Sequence, residues 1–358
     1  MSFKCGIVGL PNVGKSTTFN ALTKSKNAQI ANFPFCTIDP NIGIVAIPDS
    51  RLEKIAKISN SKEKINSLIT FVDIAGLVKG ASKGEGLGNK FLSHIREVDM
   101  IVHLVRCFDD SNIQNVNNTV DPLRDLEMIE TELNLSDMES LEKRLDKKNK
   151  NKISNDEEKN FLSKIYKNLS EGLDLTNNIK SSDKKHTKLS SILSLKPKII
   201  VCNVNEDDIL KGNSHVEKVK NKYKNTNVIT ISADIERQIS ELNDEDANEF
   251  KKELGINESG LDKLIKASFN TLNLNTYYTS GAKESKSWII NKNTTAPNAA
   301  EIIHSDFKKG FIKAEVMSYE DFINFNGENG CKENGKLRIE GKEYIVKDGD
   351  ILHFRFNT

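Results

Sequence analysis

Short apolar runs and helical stripes alternate along the first two thirds of the chain. Phe3–Leu10 is apolar and ends at Gly-x-Pro, which predicts a buried strand closed by a turn. Lys15–Lys24 has helical periodicity. Further strands are predicted at Ile42–Ile47, Leu68–Asp73, Met100–Val105, Lys198–Asn203 and Asn227–Ser232. Buried strands separated by helical stretches predict an α/β fold with a mostly parallel sheet covered by helices on both faces.

The pattern changes after Asp121-Pro122, a helix start with Asp at the cap and Pro in the first turn. Leu126, Ile129 and Leu133 share one face. The phase then breaks near Asn134, and Ser136-x-x-Glu139 has the form of a capping box that restarts a helix carrying Met138, Leu141 and Leu145. A polar run, K-K-N-K-N-K-I-S-N-D-E-E-K, and another helical stretch to about Leu195 complete an expected helical hairpin inserted in the α/β pattern, partly coiled-coil-like. Beyond Leu272 the texture changes again. Ser287–Ile290 and Gly310–Glu315 read as strands and Ala299–Phe307 as a helix. Glu343–Val346 and Ile351–Phe356 are expected to form a hairpin around Lys347-Asp348-Gly349-Asp350. Short strands around a helix predict a small α+β domain.

With 358 residues, the chain has room for a sizeable core and more than one domain. Lys and Arg (52) almost balance Asp and Glu (51), so net charge gives no case for nucleic-acid binding, and a basic contact surface has to be local. Lys308, Lys309, Lys313, Lys332, Lys336 and Arg338 are candidates for such a patch or for a dispersed solvated surface. Cys5, Cys36, Cys107, Cys202 and Cys331 have no C-x-x-C spacing and are odd in number, which suits reduced thiols in the cytoplasm. The first strand starts almost at Met1, which leaves no signal peptide to expect. No apolar run approaches the ~20 residues of a membrane span.

The strongest chemical signal is Gly9-Leu-Pro-Asn-Val-Gly14-Lys15-Ser16, a G-x-x-x-x-G-K-[ST] motif between a predicted strand and a predicted helix. The glycines let backbone N–H groups turn towards phosphates, and the helix N-terminus adds its positive end. Lys15 is the residue to reach the β and γ phosphates, and Ser16 the Mg²⁺ ligand. Asp73-Ile-Ala-Gly76 follows an apolar strand as D-x-x-G, which puts the Asp73 carboxylate towards the Mg²⁺ shell and the Gly76 N–H towards a γ-phosphate. Thr37, between the motifs, stands where a switch threonine closes over metal and γ-phosphate. Gly80, Gly84, Gly86 and Gly88 then suit a segment that orders around nucleotide.

Taken in order, G-L-P-N-V-G-K-S-T, N-F-P-F-C-T-I-D-P-N, D-I-A-G-L-V-K-G-A-S-K-G-E-G-L-G and N-V-N-E resemble the YchF-type branch of the Obg-related P-loop switches. T-A-P-N-A-A-E-I-I-H-S-D-F-K-K-G-F-I-K-A-E and Y-I-V-K-D-G-D resemble that family's TGS domain, a β-grasp module. The resemblance covers essentially the whole chain. It implies an Obg-type G domain in two segments (1–125 and 196–272), the inserted helical hairpin (126–195) and the TGS domain (273–356). It implies Mg²⁺-dependent hydrolysis of ATP in preference to GTP and association with the ribosome or its large subunit. Contacts to rRNA or tRNA would run through the TGS domain and hairpin, in a cytoplasmic, monomeric protein. Asn12, Val13, Gly14, Lys15, Ser16 and Thr17 then hold phosphates; Ser16, Thr37 and Asp73 meet Mg²⁺. Lys15, Thr37 and Gly76 serve hydrolysis. Asn203, Val204 and Glu206 belong to the base site, and Ser232-Ala233 matches the last nucleotide motif. Asn12 also stands where related switches hold potassium.

Guanine switches carry N-K-x-D where this chain reads Asn203-Val204-Asn205-Glu206. An aspartate there accepts from both N1–H and N2–H₂ of guanine. The longer Glu206 moves that carboxylate, and Val204 removes the lysine stem that would cover the ring. Both changes weaken a guanine reading without proving an adenine one. Leu77 replaces the glutamine that often follows D-x-x-G and orients water. The family's loop histidine position is Asn115, in Asn112-Ile-Gln-Asn-Val116, so slow turnover is expected; His94 and His103 are the other candidate bases. An Obg-type GTPase, and a ribosome- or RNA-binding regulator with vestigial hydrolysis, remain alternatives at this point.

Overall fold

The computed structural model describes residues 3–25, 41–75, 86–110, 119–146, 156–173, 175 and 192–357. The expectations for Thr37, Gly76, Leu77, Gly80, Gly84 and 112–116 lie outside them.

The strands in chain order are β1 (Phe3–Val8), β2 (Ile42–Ala46), β3 (Glu63–Ile65), β4 (Leu68–Asp73), β5 (Met100–Arg106), β6 (Lys198–Asn203), β7 (Asn227–Ile231), β8 (Leu274–Thr279), β9 (Glu284–Asn291), β10 (Phe311–Met317), β11 (Arg338–Glu340) and β12 (Ile351–Phe356). They form two six-stranded sheets, ordered β2-β4-β1-β5-β6-β7 and β11-β10-β12-β8-β9-β3. In the first sheet, β1, β5, β6 and β7 pair in parallel. Every residue of β5 is buried, as a parallel strand covered on both faces requires.

The chain divides into two compact units, Met1–Ser2 with Ile44–Ile69 and Ile265–Thr358, and Phe3–Gly43 with Thr70–Leu264. This division runs along other lines than the expected domains, and it also places residues 265–272 with the C-terminal unit. The helical stretch stays with the parallel sheet. The segment Ile44–Ile69, expected in the G domain, belongs to the C-terminal unit. The physical reason is local: β3 pairs with β9, and helix α2 (Ser50–Ile58) buries Leu52 and Ile55 against C-terminal side chains.

In the unit that carries the phosphate motif, α1 (Lys15–Lys24) follows that motif and α3 (Gly86–Glu97) precedes β5. Helix α4 (Pro122–Leu145) starts as the sequence indicates, with the Asp121 carboxylate accepting from the Leu123 and Arg124 N–H groups. It runs unbroken through Ser136, so the capping box is not a helix start. Ser136 Oγ accepts from the Arg96 guanidinium at 3.1 Å. The Asp137 carboxylate accepts from the N–H groups of Leu193 and Ser194 and from Ser194 Oγ at 2.6–2.9 Å. The polar residues that interrupt the apolar phase dock other parts of the chain. Helix α5 (Asp156–Ser170) packs on α4 through Leu141, Phe161, Leu162, Ile165 and Leu169.

In the C-terminal unit the helix at Ala296–Ile303 lies on a core of Tyr277, Ile290, Ala314, Val316, Leu352 and Phe354. The expected hairpin of 343–346 with 351–356 does not form. β12 instead pairs with β10, antiparallel, and with β8, parallel, while Ile345 makes an isolated bridge to Thr295. The turn acidic residues serve other partners: Asp350 accepts from Tyr344 and from the Lys347 N–H. Lys308, Lys309, Lys313, Lys336 and Arg338 each lie within ion-pair distance of a carboxylate, which favours the dispersed surface over an unneutralised patch. Among the described residues no helix is long and apolar enough to cross a membrane.

Candidate nucleotide-binding site

The phosphate motif joins β1 to α1 in the context its chemistry needs. Asn12 and Gly14 both have left-handed backbone, φ 63° and 93°. A side chain at Gly14 would overlap the Asn203 amide, and a Cβ at Gly9 would come within 2.6 Å of the Leu104 carbonyl. The glycines are therefore demanded by backbone approach as well as by torsion. Successive N–H groups of such a turn, together with the first turn of α1, form an anion-binding concavity.

Lys15 is ion-paired with Asp73, so the end of β4 meets the phosphate loop. Ser16 lies in the first turn of α1 and is exposed. A hydroxyl and a carboxylate beside the loop are hard oxygen donors, the set that suits Mg²⁺. Ser16 and Asp73 thus fit the implied metal, with Thr37 outside the described residues.

Asn203 organises the other half of the site. It ends β6 opposite Arg106 of β5 and is 4% exposed. Its Nδ2 donates to the Val13 carbonyl at 3.0 Å, and its Oδ1 accepts from the Ala233 N–H at 2.9 Å. One buried amide therefore ties the phosphate loop to the Ser232-Ala233 turn. Ser232, buried, caps the helix Ala233–Glu241 by accepting from the Ile235 N–H.

Val204 can meet a base only through its main chain. Its side chain is 2% exposed and packs with Val105, Cys107, Cys202, Val216 and Val219. That side chain belongs to the core and supplies no stem to cover a base. Its N–H donates to the Ile231 carbonyl at 2.9 Å, so what this residue can offer a base is its main-chain carbonyl. Glu206 is exposed, and its carboxylate accepts from Gln238 Nε2 at 2.8 Å. Gln238 was not anticipated. It stands on the helix after Ser232-Ala233, and its only sequence signal is its place six residues beyond a motif.

His103 is mid-strand in β5 and buried, and burial, with Lys198 nearby, pushes its pKa down to about 3. It is a neutral core residue and no base for a phosphate site. His94 is exposed on α3. Arg106, also buried, anchors the start of the following loop by donating to the Phe108 and Asp110 carbonyls at 2.9 and 3.0 Å. Cys5, Cys107, Cys202 and Cys331 are buried.

Comparison with known proteins bears on the whole chain. Residues 4–135 match a family model described as a 50S ribosome-binding GTPase. Residues 274–357 match the YchF-GTPase C-terminal family, described as a protein of unknown function. The chain is 49% identical to the ribosome-binding ATPase YchF of Haemophilus influenzae and 50% identical to that of Bacillus subtilis, each over 100% of both chains. Among solved structures it resembles the YchF GTPase of Schizosaccharomyces pombe, with TM-score 0.88 and 39% identity over 99% of this chain and 98% of the other. A GTP-binding protein from Pyrococcus horikoshii shares the fold, with TM-score 0.59 and 19% identity over 99% of this chain and 100% of the other. The names of these relatives divide between ATPase and GTPase.

Proposed function

The chain belongs to the YchF family, and from that premise we propose that it is a ribosome-associated P-loop ATPase that binds ATP with Mg²⁺, prefers it to GTP, and hydrolyses it slowly to ADP and phosphate. The observation that carries the reading is Asn203, whose amide joins the phosphate loop to the Ser232-Ala233 turn, which supports a single nucleotide site built from three distant motifs.

Roles follow from residue chemistry. Backbone N–H groups from Asn12 to Thr17 cradle the phosphates, and the Lys15 ammonium neutralises their charge. Ser16 and Asp73 would hold Mg²⁺, with Thr37 as a further ligand; bound there, the ion offsets charge on the β and γ phosphates. Gly76 offers its N–H to the γ-phosphate. Leu77 has no donor or acceptor for a water, and Asn115 is no base near neutral pH, which argues for slow basal turnover. Asn12 supports a potassium ion as an accelerator.

Base preference rests on two features. Glu206 is engaged by Gln238, which competes with its use as a guanine acceptor. The Val204 carbonyl is an acceptor suited to the N6 amino group of adenine. The partner is the ribosome, through its large subunit, with rRNA or tRNA contacts through the helical hairpin and C-terminal unit, by a cytoplasmic monomer.

Phosphate release and ribosome co-sedimentation test this reading with wild-type protein and Lys15→Ala. Basal turnover is expected below about 1 per second, near the bottom of the usual enzymatic range, and higher with potassium or ribosomes. Lys15→Ala is expected to lose ATP affinity by at least about 100-fold, roughly 2.8 kcal/mol, with ribosome association retained. Unchanged ATP binding in the variant would place the phosphates elsewhere and overturn the reading.

A further inference from the structure

The chain between the two switch motifs is built into the other unit. Thr37 and Asp73 bracket the segment Ile44–Ile69, which belongs to the C-terminal unit, while residues up to Gly43 and from Thr70 belong to the nucleotide unit. The segment is held firmly. Leu52 and Ile55 of α2 are fully buried in a cluster with Tyr278, Met317, Phe322, Cys331 and Ile351. Beyond α2, β3 pairs in parallel with β9, Glu63 opposite Glu284. Ser61 Oγ donates to the Gly281 carbonyl at 2.7 Å and lies 2.8 Å from Ser285 Oγ; the Ser67 N–H donates to Ser287 Oγ at 2.7 Å.

A polar clamp closes the start of α2. The Arg51 guanidinium donates to Asp49 through Nε and Nη2, both at 3.1 Å, and to Asp348 at 2.6 Å. Tyr278 donates its hydroxyl proton to Asp49, and the Thr276 N–H donates to Asp348 at 2.8 Å. Asp49 also caps α2. One guanidinium thus joins the helix cap to the turn before β12.

Within the segment the elements follow closely: only Ile47, Pro48 and Asp49 separate β2 from α2, and only Asn66 and Ser67 separate β3 from β4. The chain passes between the units inside β2, between Gly43 and Ile44, and inside β4, between Ile69 and Thr70. P-loop switches answer the γ-phosphate by moving the segments that carry the threonine and D-x-x-G. Here the chain between Thr37 and Asp73 includes Ile44–Ile69, which packs as one body in the C-terminal fold.

We propose that the α2–β3 insertion makes the C-terminal unit the reader of nucleotide state. Binding of Mg-nucleotide changes the local stability of the C-terminal sheet, and by reciprocity an occupant of that unit changes nucleotide affinity. The inference rests on the P-loop nucleotide reading, but not on the choice of base.

Hydrogen exchange on the full chain, with and without saturating Mg-ADP or a non-hydrolysable Mg-ATP analogue, tests it. Protection of peptides covering Gly9–Thr17 reports binding itself; its absence condemns the nucleotide reading and not the coupling alone. With that protection present, exchange in β8, β9 and β12 is expected to differ at least about threefold between the two nucleotide states, an effect of roughly 0.7 kcal/mol. Protection of Gly9–Thr17 with no change in residues 274–356 overturns the coupling. Arg51→Met combined with Asp348→Asn, and separately Ser61→Ala, which removes hydroxyl contacts without stranding a charge, are expected to shrink the C-terminal response while Gly9–Thr17 stays protected. A full response in both folded variants also overturns it.

Discussion

Asn203 is the side chain on which the geometry of the nucleotide site depends most. It is buried, and both ends of its amide are committed, to Val13 and to Ala233. Asn203→Ala leaves a carbonyl and an N–H without these partners, which costs about 2–3 kcal/mol; a lowered urea midpoint with an unchanged slope is the expected record. A second residue-scale prediction concerns Glu236. Burial raises its carboxyl to about 7 from 4.5, although it accepts from the Gly260 and Leu261 N–H groups. Between those values the folded chain keeps a proton that the unfolded chain releases. That contribution to stability is complete below pH 4.5 and is lost as pH rises through 7, with a slope approaching about 1.4 kcal/mol per pH unit. Glu236→Gln keeps an acceptor for Gly260 and has no such titration. Denaturation of wild type and variant from pH 5 to 8 should show this slope in the wild type alone.

At the scale of elements, the strands and helices around the phosphates were legible in the chain. Lys15–Lys24, Leu68–Asp73 and Lys198–Asn203 form over the residues expected, because apolar runs bounded by Gly, Pro and Asp leave little choice. The failures share a cause: polar residues that look like local punctuation serve distant partners. Ser136 resembles a helix start but accepts from Arg96, and its neighbour Asp137 holds the chain at 193–194. Asp348 and Asp350 resemble a hairpin turn, yet Asp348 clamps Arg51. Long-range hydrogen bonds leave no periodic trace. Asp137→Ala removes the acceptor for two backbone N–H groups and the Ser194 hydroxyl, while burial is what raises the Asp137 carboxyl above its usual range. The variant should lose about 2–3 kcal/mol, read as a lowered denaturation midpoint, with faster amide exchange at Leu193 and Ser194.

At the scale of the molecule, motif spacing predicted that the phosphate, metal and base motifs meet at one end of a parallel sheet. It did not show that the residues between the switch motifs belong to the C-terminal unit, because α2 and β3 read as ordinary G-domain elements until their partners are known. The site was legible in the same uneven way. Lys15, Asp73, Asn203 and Ala233 come together as their chemistry requires, whereas Val204 goes to the core and Gln238 appears only in three dimensions. The base preference concerns these last two residues and is the central claim. Calorimetric titration of the full chain with ATP and with GTP, both with Mg²⁺ and potassium, tests it most directly. At least tenfold tighter binding of ATP, a difference of about 1.4 kcal/mol, is the predicted result. Equal or tighter binding of GTP would mean that Glu206 still reads guanine, and would contradict the assignment of this chain as an ATPase.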